Sequence, residues 1–171
     1  MALCSTATGR EGKQSLVAMG AIEHIIDVLW AQLLSASVQE RGFMALLHLA
    51  DGDTSTDDDV EATRLRMVEA DVLETITAGM RQHVRSAAVQ LLGLSLMGSI
   101  ATVSGEEVTA YCMRRLDAAG VIEATVAALQ AHTASVEMHE RGFGMLCDMS
   151  NGEDDDIPDR LHRMVEAVMH I

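Results

Sequence analysis

The sequence predicts an all-helical (all-α) protein, and three observations carry that prediction. Hydrophobic residues make up 49% of the 171 positions, enough to bury the core of one domain spanning 1–171. Aromatics are only 2% and Pro158 is the one proline, while twelve methionines and many Ala, Leu and Val favour helix. Apolar residues also recur at helical rather than alternating spacing.

The elements follow in order. "QSLVA" at 14–18 is a short amphipathic stretch. Over 21–33, Ile22, Ile25, Ile26, Leu29 and Leu33 keep i, i+3, i+4, i+7 spacing and predict a second helix. Over 37–50, Val38, Gly42, Ala45, Leu46 and Leu49 predict a third. The same three pieces then return. "MGAIEHIIDVLWAQ" (19–32), "ADVLETITAGMRQH" (70–83) and "AGVIEATVAALQAH" (119–132) align without gaps on Gly20, Asp71 and Gly120, so the periods are 51 and 49. Gly42, Gly93 and Gly142 repeat at the same offsets, and Glu-Arg-Gly-Phe stands at both 40–43 and 140–143. "TRLRMVEA" (63–70), "CMRRLDAA" (112–119) and "RLHRMVEA" (160–167) supply further first pieces.

The units therefore cover about 10–58, 59–105 and 106–157, with partial units at 1–9 and 158–171. "MALCSTATG" (1–9) overlays "MALLHLADG" (44–52) like the tail of a third helix, and a new second helix is expected just before Ile171. Breaks between units are expected near 51–58, 101–105 and 151–157. Glycine within a helix costs about 1 kcal/mol relative to alanine. Its return at 42, 93 and 142 predicts that another helix backbone passes too close for a larger side chain. Gly20 and Gly120 are placed to turn the chain at positive φ, and Asp71 is among the few other residue types that tolerate it.

One such unit cannot bury its apolar stripe alone, whereas stacked copies share a continuous core. "GAIEHIIDVL" and "GVIEATVAAL", followed by "VQERGFMALLHLA", resemble the second and third helices of armadillo repeats, and the resemblance covers essentially the whole chain. HEAT repeats lack the short first helix. The resemblance implies a right-handed α-solenoid of about three three-helix repeats plus partial terminal repeats, with a concave groove lined by third helices. Armadillo proteins that recognise nuclear-import peptides carry a Trp and, four residues on, an Asn there. The matching pairs here are Met44 and His48, Ser95 and Ser99, and Gly144 and Asp148, so import-signal binding is not expected. With Glu40 and Glu140 these residues make up the expected partner-binding groove, acidic at Glu40, Glu140 and Asp148 and apolar at Met44. Neither end resembles a polar cap, so the expectation is part of a longer chain or a larger complex.

A net charge of −14 repels phosphate backbones and anionic lipid. Only Trp30, Phe43, Tyr111 and Phe143 could stack on bases, and no nucleic-acid partner is expected. Residues 86–105, "SAAVQLLGLSLMGSIATVSG", are uncharged over a bilayer-spanning length, but Gln90 and several Ser and Gly inside a repeat predict a buried helix instead of a membrane span. No secretory signal is visible. Cys4, Cys112 and Cys147 lack CxxC spacing and read as small core residues in a reducing, intracellular compartment, taken as cytoplasmic.

Candidate chemistry is sparse. "DGDTSTDDDVEA" (51–62) places Asp51, Asp53, Ser55, Asp57 and Asp59 at EF-hand positions. Thr56 replaces the required Gly, however, and Ala62 the bidentate Glu, so the expectation is a solvated loop without tight calcium binding. Its last acids, like Pro158, suit the start of the next helix. The histidines at 24, 48, 83, 132, 139, 162 and 170 form no HExxH, and no nucleophile elbow or phosphate loop is present. No catalytic residue, metal site or cofactor is expected. The expected function is a non-enzymatic protein–protein interaction or scaffolding module whose partner segment is basic or of mixed charge. The alternative is a structural subunit of a larger assembly, binding through its repeat ends and convex face.

Overall fold

The computed structural model describes residues 10–51, 57–151 and 157–169. Among them are ten α-helices and no strand: α1 (Arg10–Ala18), α2 (Ala21–Ala31), α3 (Ala36–Ala50), α4 (Asp57–Glu69), α5 (Val72–Gln82), α6 (Ala87–Ala101), α7 (Glu106–Ala118), α8 (Val121–Ala131), α9 (Val136–Ser150) and α10 (Ile157–Met169). Three triplets are followed by a tenth helix; residues 102–105 separate α6 from α7 as expected, while 52–56 and 152–156 lie outside the described residues.

Within each triplet the chain turns at the predicted residue. Gly20 (φ 81°), Asp71 (φ 58°) and Gly120 (φ 76°) occupy the left-handed region and open α2, α5 and α8. Val168 stands where a fourth such turn is expected, and α10 runs through it to Met169. Residues 170 and 171, where the next second helix is expected, lie outside the described residues. Leu33, expected on the α2 stripe, lies in the turn beyond it, since α2 ends at Ala31.

Equivalent helices of successive triplets lie against one another: α3 on α6 and α6 on α9, α2 on α5 and α5 on α8. One core runs through the stack from Ile22 to Met149. The uncharged stretch at 86–105 is α6, the central helix, with Leu94, Leu96, Met97 and Ile100 buried. No described helix is long and apolar enough to cross a membrane.

The three repeated glycines mark a close approach, though not of backbones as the sequence suggested. A Cβ on Gly42 would collide with the Leu29 side chain, one on Gly93 with Met80, and one on Gly142 would lie 2.6 Å from Leu129 Cδ2. The three intruding side chains occupy one equivalent position in the second helix of each triplet, so each glycine is a notch for a neighbouring side chain.

A second device repeats beside the first. Gln39 is fully buried, and its Nε2 donates to the carbonyls of Leu29 (2.9 Å) and Gln32 (3.2 Å). Gln90 donates in the same way to Met80 (2.8 Å) and His83 (3.1 Å). Leu29 and Met80 lie in the last turn of their helices, where carbonyls lack intrahelical partners, whereas the Gln32 and His83 carbonyls also accept the N–H of Ser35 and Ser86. Triplets are then cross-linked. His83 Nε2 donates to the Leu33 carbonyl at 2.7 Å, and His132 Nε2 to Val84 at 2.8 Å. Arg66 bonds Glu23 through Nε and Nη2, and Arg115 Nη2 reaches Asp71 (2.7 Å) and Glu74 (3.0 Å). Arg64 donates to Ala50 and Thr102 carbonyls, drawing together the C-terminal ends of α3 and α6. Arg160, which aligns with Thr63, is fully buried beside α9 and donates from Nε to the Met149 carbonyl.

The notch generates a prediction in which two glycine substitutions move stability in opposite directions. Gly42→Ala forces the buried, branched Leu29 aside, and the overpacking cost of about 1–3 kcal/mol exceeds the helix-propensity gain of about 1 kcal/mol. Gly144, with nothing within 4 Å of its missing Cβ, keeps that gain on Gly144→Ala. Urea midpoints at unchanged m-value should fall for the first and rise for the second. Shifts of the same sign would remove the close-approach account.

Candidate functional site

The residues singled out from sequence lie on the third helices, and the helix starts set their register. α3, α6 and α9 begin one residue after Ser35, Ser86 and Ser135, and each is 15 residues long. Ser86 Oγ and Ser135 Oγ accept the N–H of Val89 and Met138, as N-cap serines do. Met44, Ser95 and Gly144 therefore stand at one level along the three helices, and His48, Ser99 and Asp148 one turn further on. The serine repeat was available in the sequence and went unused there.

Contacts between neighbouring helices tie parts of this face together. Ser86 Oγ donates to Glu40 Oε1 at 3.3 Å, joining the start of α6 to α3. Ser99 Oγ donates to Asp51 Oδ1 at 3.2 Å, and Asp51 in turn accepts Lys13 Nζ at its carbonyl (2.7 Å). Ser95 Oγ donates to the Leu91 carbonyl (2.6 Å) and accepts from Arg141 Nη1 of α9 (2.7 Å). Met44, His48, Glu140, Gly144 and Asp148 are exposed, and Glu40, Ser95 and Ser99 half-buried. His48 is turned onto its own helix, Nδ1 meeting the Met44 carbonyl at 2.7 Å.

Arg141 is the residue the sequence reading missed. Its guanidinium reaches Ser95 on α6 while pairing with Glu137 one turn back at 3.2 Å. The signal was the Arg of the repeated Glu-Arg-Gly-Phe, which also places the exposed Arg41 on α3. A cation thus lies within a row read as acidic, and the face is of mixed charge. Gly144 leaves open space beside it.

Burial acts unevenly on the titratable groups. Partial desolvation raises the pKa of the Asp148 carboxyl even though the side chain lies at the surface. The Cys112 thiol is raised by burial first and by the Glu61 carboxylate second. Cys147 is exposed on α9, contrary to its reading as a core residue, at the position where Gly98 of α6 also faces open space. Phe43 is buried in the core. Residues 52–56 of the EF-hand-like stretch lie outside the described residues. Among the described residues no three His, Cys, Asp or Glu side chains gather as metal ligands would. In comparisons with models of known families, with curated proteins and with solved structures, nothing matched this chain.

Asp148 supplies a test with a defined sign. A carboxyl whose folded pKa lies above its unfolded value of 3.8 weakens the fold when ionised, and the penalty fades as pH falls through the folded value. Asp148→Asn should therefore stabilise the chain at neutral pH and lose that advantage below the unfolded pKa. Thermal melts across pH check this, and an advantage that grows in acid would reverse the assignment.

Proposed function

We propose that this chain is a non-enzymatic, intracellular binding module, an armadillo-like right-handed α-solenoid that holds a partner polypeptide along its third helices. The observation that supports the reading most is the registered side-by-side run of α3, α6 and α9, which offers Glu40, Met44, Glu140, Gly144 and Asp148 on one series of positions. Such a face acts by shape and charge. Gly144 leaves room for a ligand side chain, and Glu140 and Asp148, each one turn away, suit a Lys or Arg that enters. The net charge of −14 adds long-range attraction for the same partner. Arg141 opposes it locally, so the partner segment is mixed and carries acidic or neutral side chains near Ser95.

The test uses a short fluorescein-labelled peptide of alternating Lys and Leu, with a Glu-Leu peptide as contrast, titrated at low salt where screening is least. Glu140→Lys with Asp148→Lys should weaken the Lys-Leu peptide by about tenfold, equivalent to about 1.4 kcal/mol. Asp27→Lys with Glu69→Lys changes net charge equally on the exposed surface of α2 and α4 and should have a smaller effect. Arg141→Gln should tighten binding. Equal losses in the two reversal pairs would reduce the attraction to diffuse charge, and no loss in either would place the partner elsewhere.

A further inference from the structure

Charge is ordered along the third-helix row as well as mixed. On each third helix one stripe follows i, i+4, i+7, i+11 spacing and so keeps to a single face. In α3 it reads Ser37, Arg41, Met44 and His48, all exposed. In α6 it reads Ala88, Leu92, Ser95 and Ser99, and the whole of that helix is uncharged. In α9 it reads Glu137, Arg141, Gly144 and Asp148, all exposed. With His48 neutral, the stripe is cationic on α3, uncharged on α6 and net anionic on α9.

The bonds already made sharpen this order. Arg141 is engaged on two sides, pairing with Glu137 at 3.2 Å and donating to Ser95 of α6 at 2.7 Å. Asp148 is then the uncompensated charge of the α9 stripe, one turn beyond the open space at Gly144. It lies two turns from Arg141 on the side of α9 that meets α6, so its place in the row is set by α6. Arg41 is the counterpart of Arg141 on α3, but Ser37 stands where α9 has Glu137, and no described residue pairs with it. The two carboxylates nearest α3 are directed to α6 instead. Glu40 is half-buried and accepts Ser86 Oγ, and Asp51 accepts Ser99 Oγ.

A segment lying across the row therefore meets a cation first, then a neutral floor, then a carboxylate. Packed neighbours about 10 Å apart put α3 and α9 about 20 Å from one another. An extended chain covers that distance in about six residues. A segment with an acidic and a basic pole at that separation fits one way round, and turning it end for end sets like charges together at both poles.

We propose that this row holds its partner segment in one fixed polarity: an acidic side chain meets Arg41 on α3, uncharged residues cross Leu92 and Ser95 on α6, and a Lys or Arg enters beside Gly144 to meet Asp148 on α9. This polarity rests on the third helices being the binding face, and it adds the order of charges along them.

The probe is the end-capped peptide Glu-Glu-Gly-Leu-Ser-Gly-Lys-Lys with a diazirine photo-crosslinker beside either the Glu pair or the Lys pair. It is irradiated with the full chain at low salt, where screening is least. The acidic-end label should land on α3 and the basic-end label on α9, each with a preference of about fivefold or more. A peptide of reversed sequence should keep the same assignment of charge to helix. Arg41→Glu with Asp148→Lys exchanges the two poles at constant net charge and alters only exposed side chains, so the two labels should trade places. Crosslinks on the third helices with no end preference, or with a preference that the exchange leaves in place, would overturn the polarity and spare the binding face. No crosslinking, or crosslinks confined to other helices, would overturn both.

Discussion

Leu29, Met80 and Leu129 each press into a glycine of the following helix, and the architecture of every triplet depends on that contact. Without a Cβ at Gly42, Gly93 or Gly142 the second and third helices close on one another, and interiors packed at crystalline density transmit such an approach instead of absorbing it. Closure brings Gln39 and Gln90 within reach of carbonyls ten residues back in the chain. The buried Nε2 groups then become donors for carbonyls at the helix ends, which offsets part of the cost of burying the amides, while the Oε1 atoms of Gln39 and Gln90 find no hydrogen-bond donor. Substituting the glycine would therefore disturb a polar contact as well as an apolar one.

Apolar burial and polar cross-links divide the work between triplets. Ion pairs such as Arg66–Glu23 and Arg115–Glu74 are partly exposed and each contributes about 1 kcal/mol or less. Their value lies in register: they join the first helix of one triplet to the second helix of the triplet before. The Glu23 carboxyl is lowered first by its own backbone hydrogen bond and then by Arg66, so its contribution fades as pH falls through that depressed value. The last such pair departs from the series, for Arg163 meets Asp117 on α7.

The third-helix face keeps carboxylates at Glu40, Glu140 and Asp148 and carries Arg141 bonded to Ser95, so its charge is mixed.

Local pattern was enough to reveal the all-helical class and the left-handed turns at Gly20, Asp71 and Gly120, because each depends on the residue and its near neighbours. Ser35, Ser86 and Ser135 were equally legible as caps. The partner of each glycine was not, since its neighbour could have been a backbone and proved to be a side chain from another helix. Nor could composition separate Phe43 from Phe143, which share the sequence Glu-Arg-Gly-Phe and differ only in whether another helix lies over them. Arg141 read as one more surface charge until α6 lay beside it. Exposure and the pairing of charges depend on which helices lie alongside, and those neighbours come from residues roughly fifty positions away.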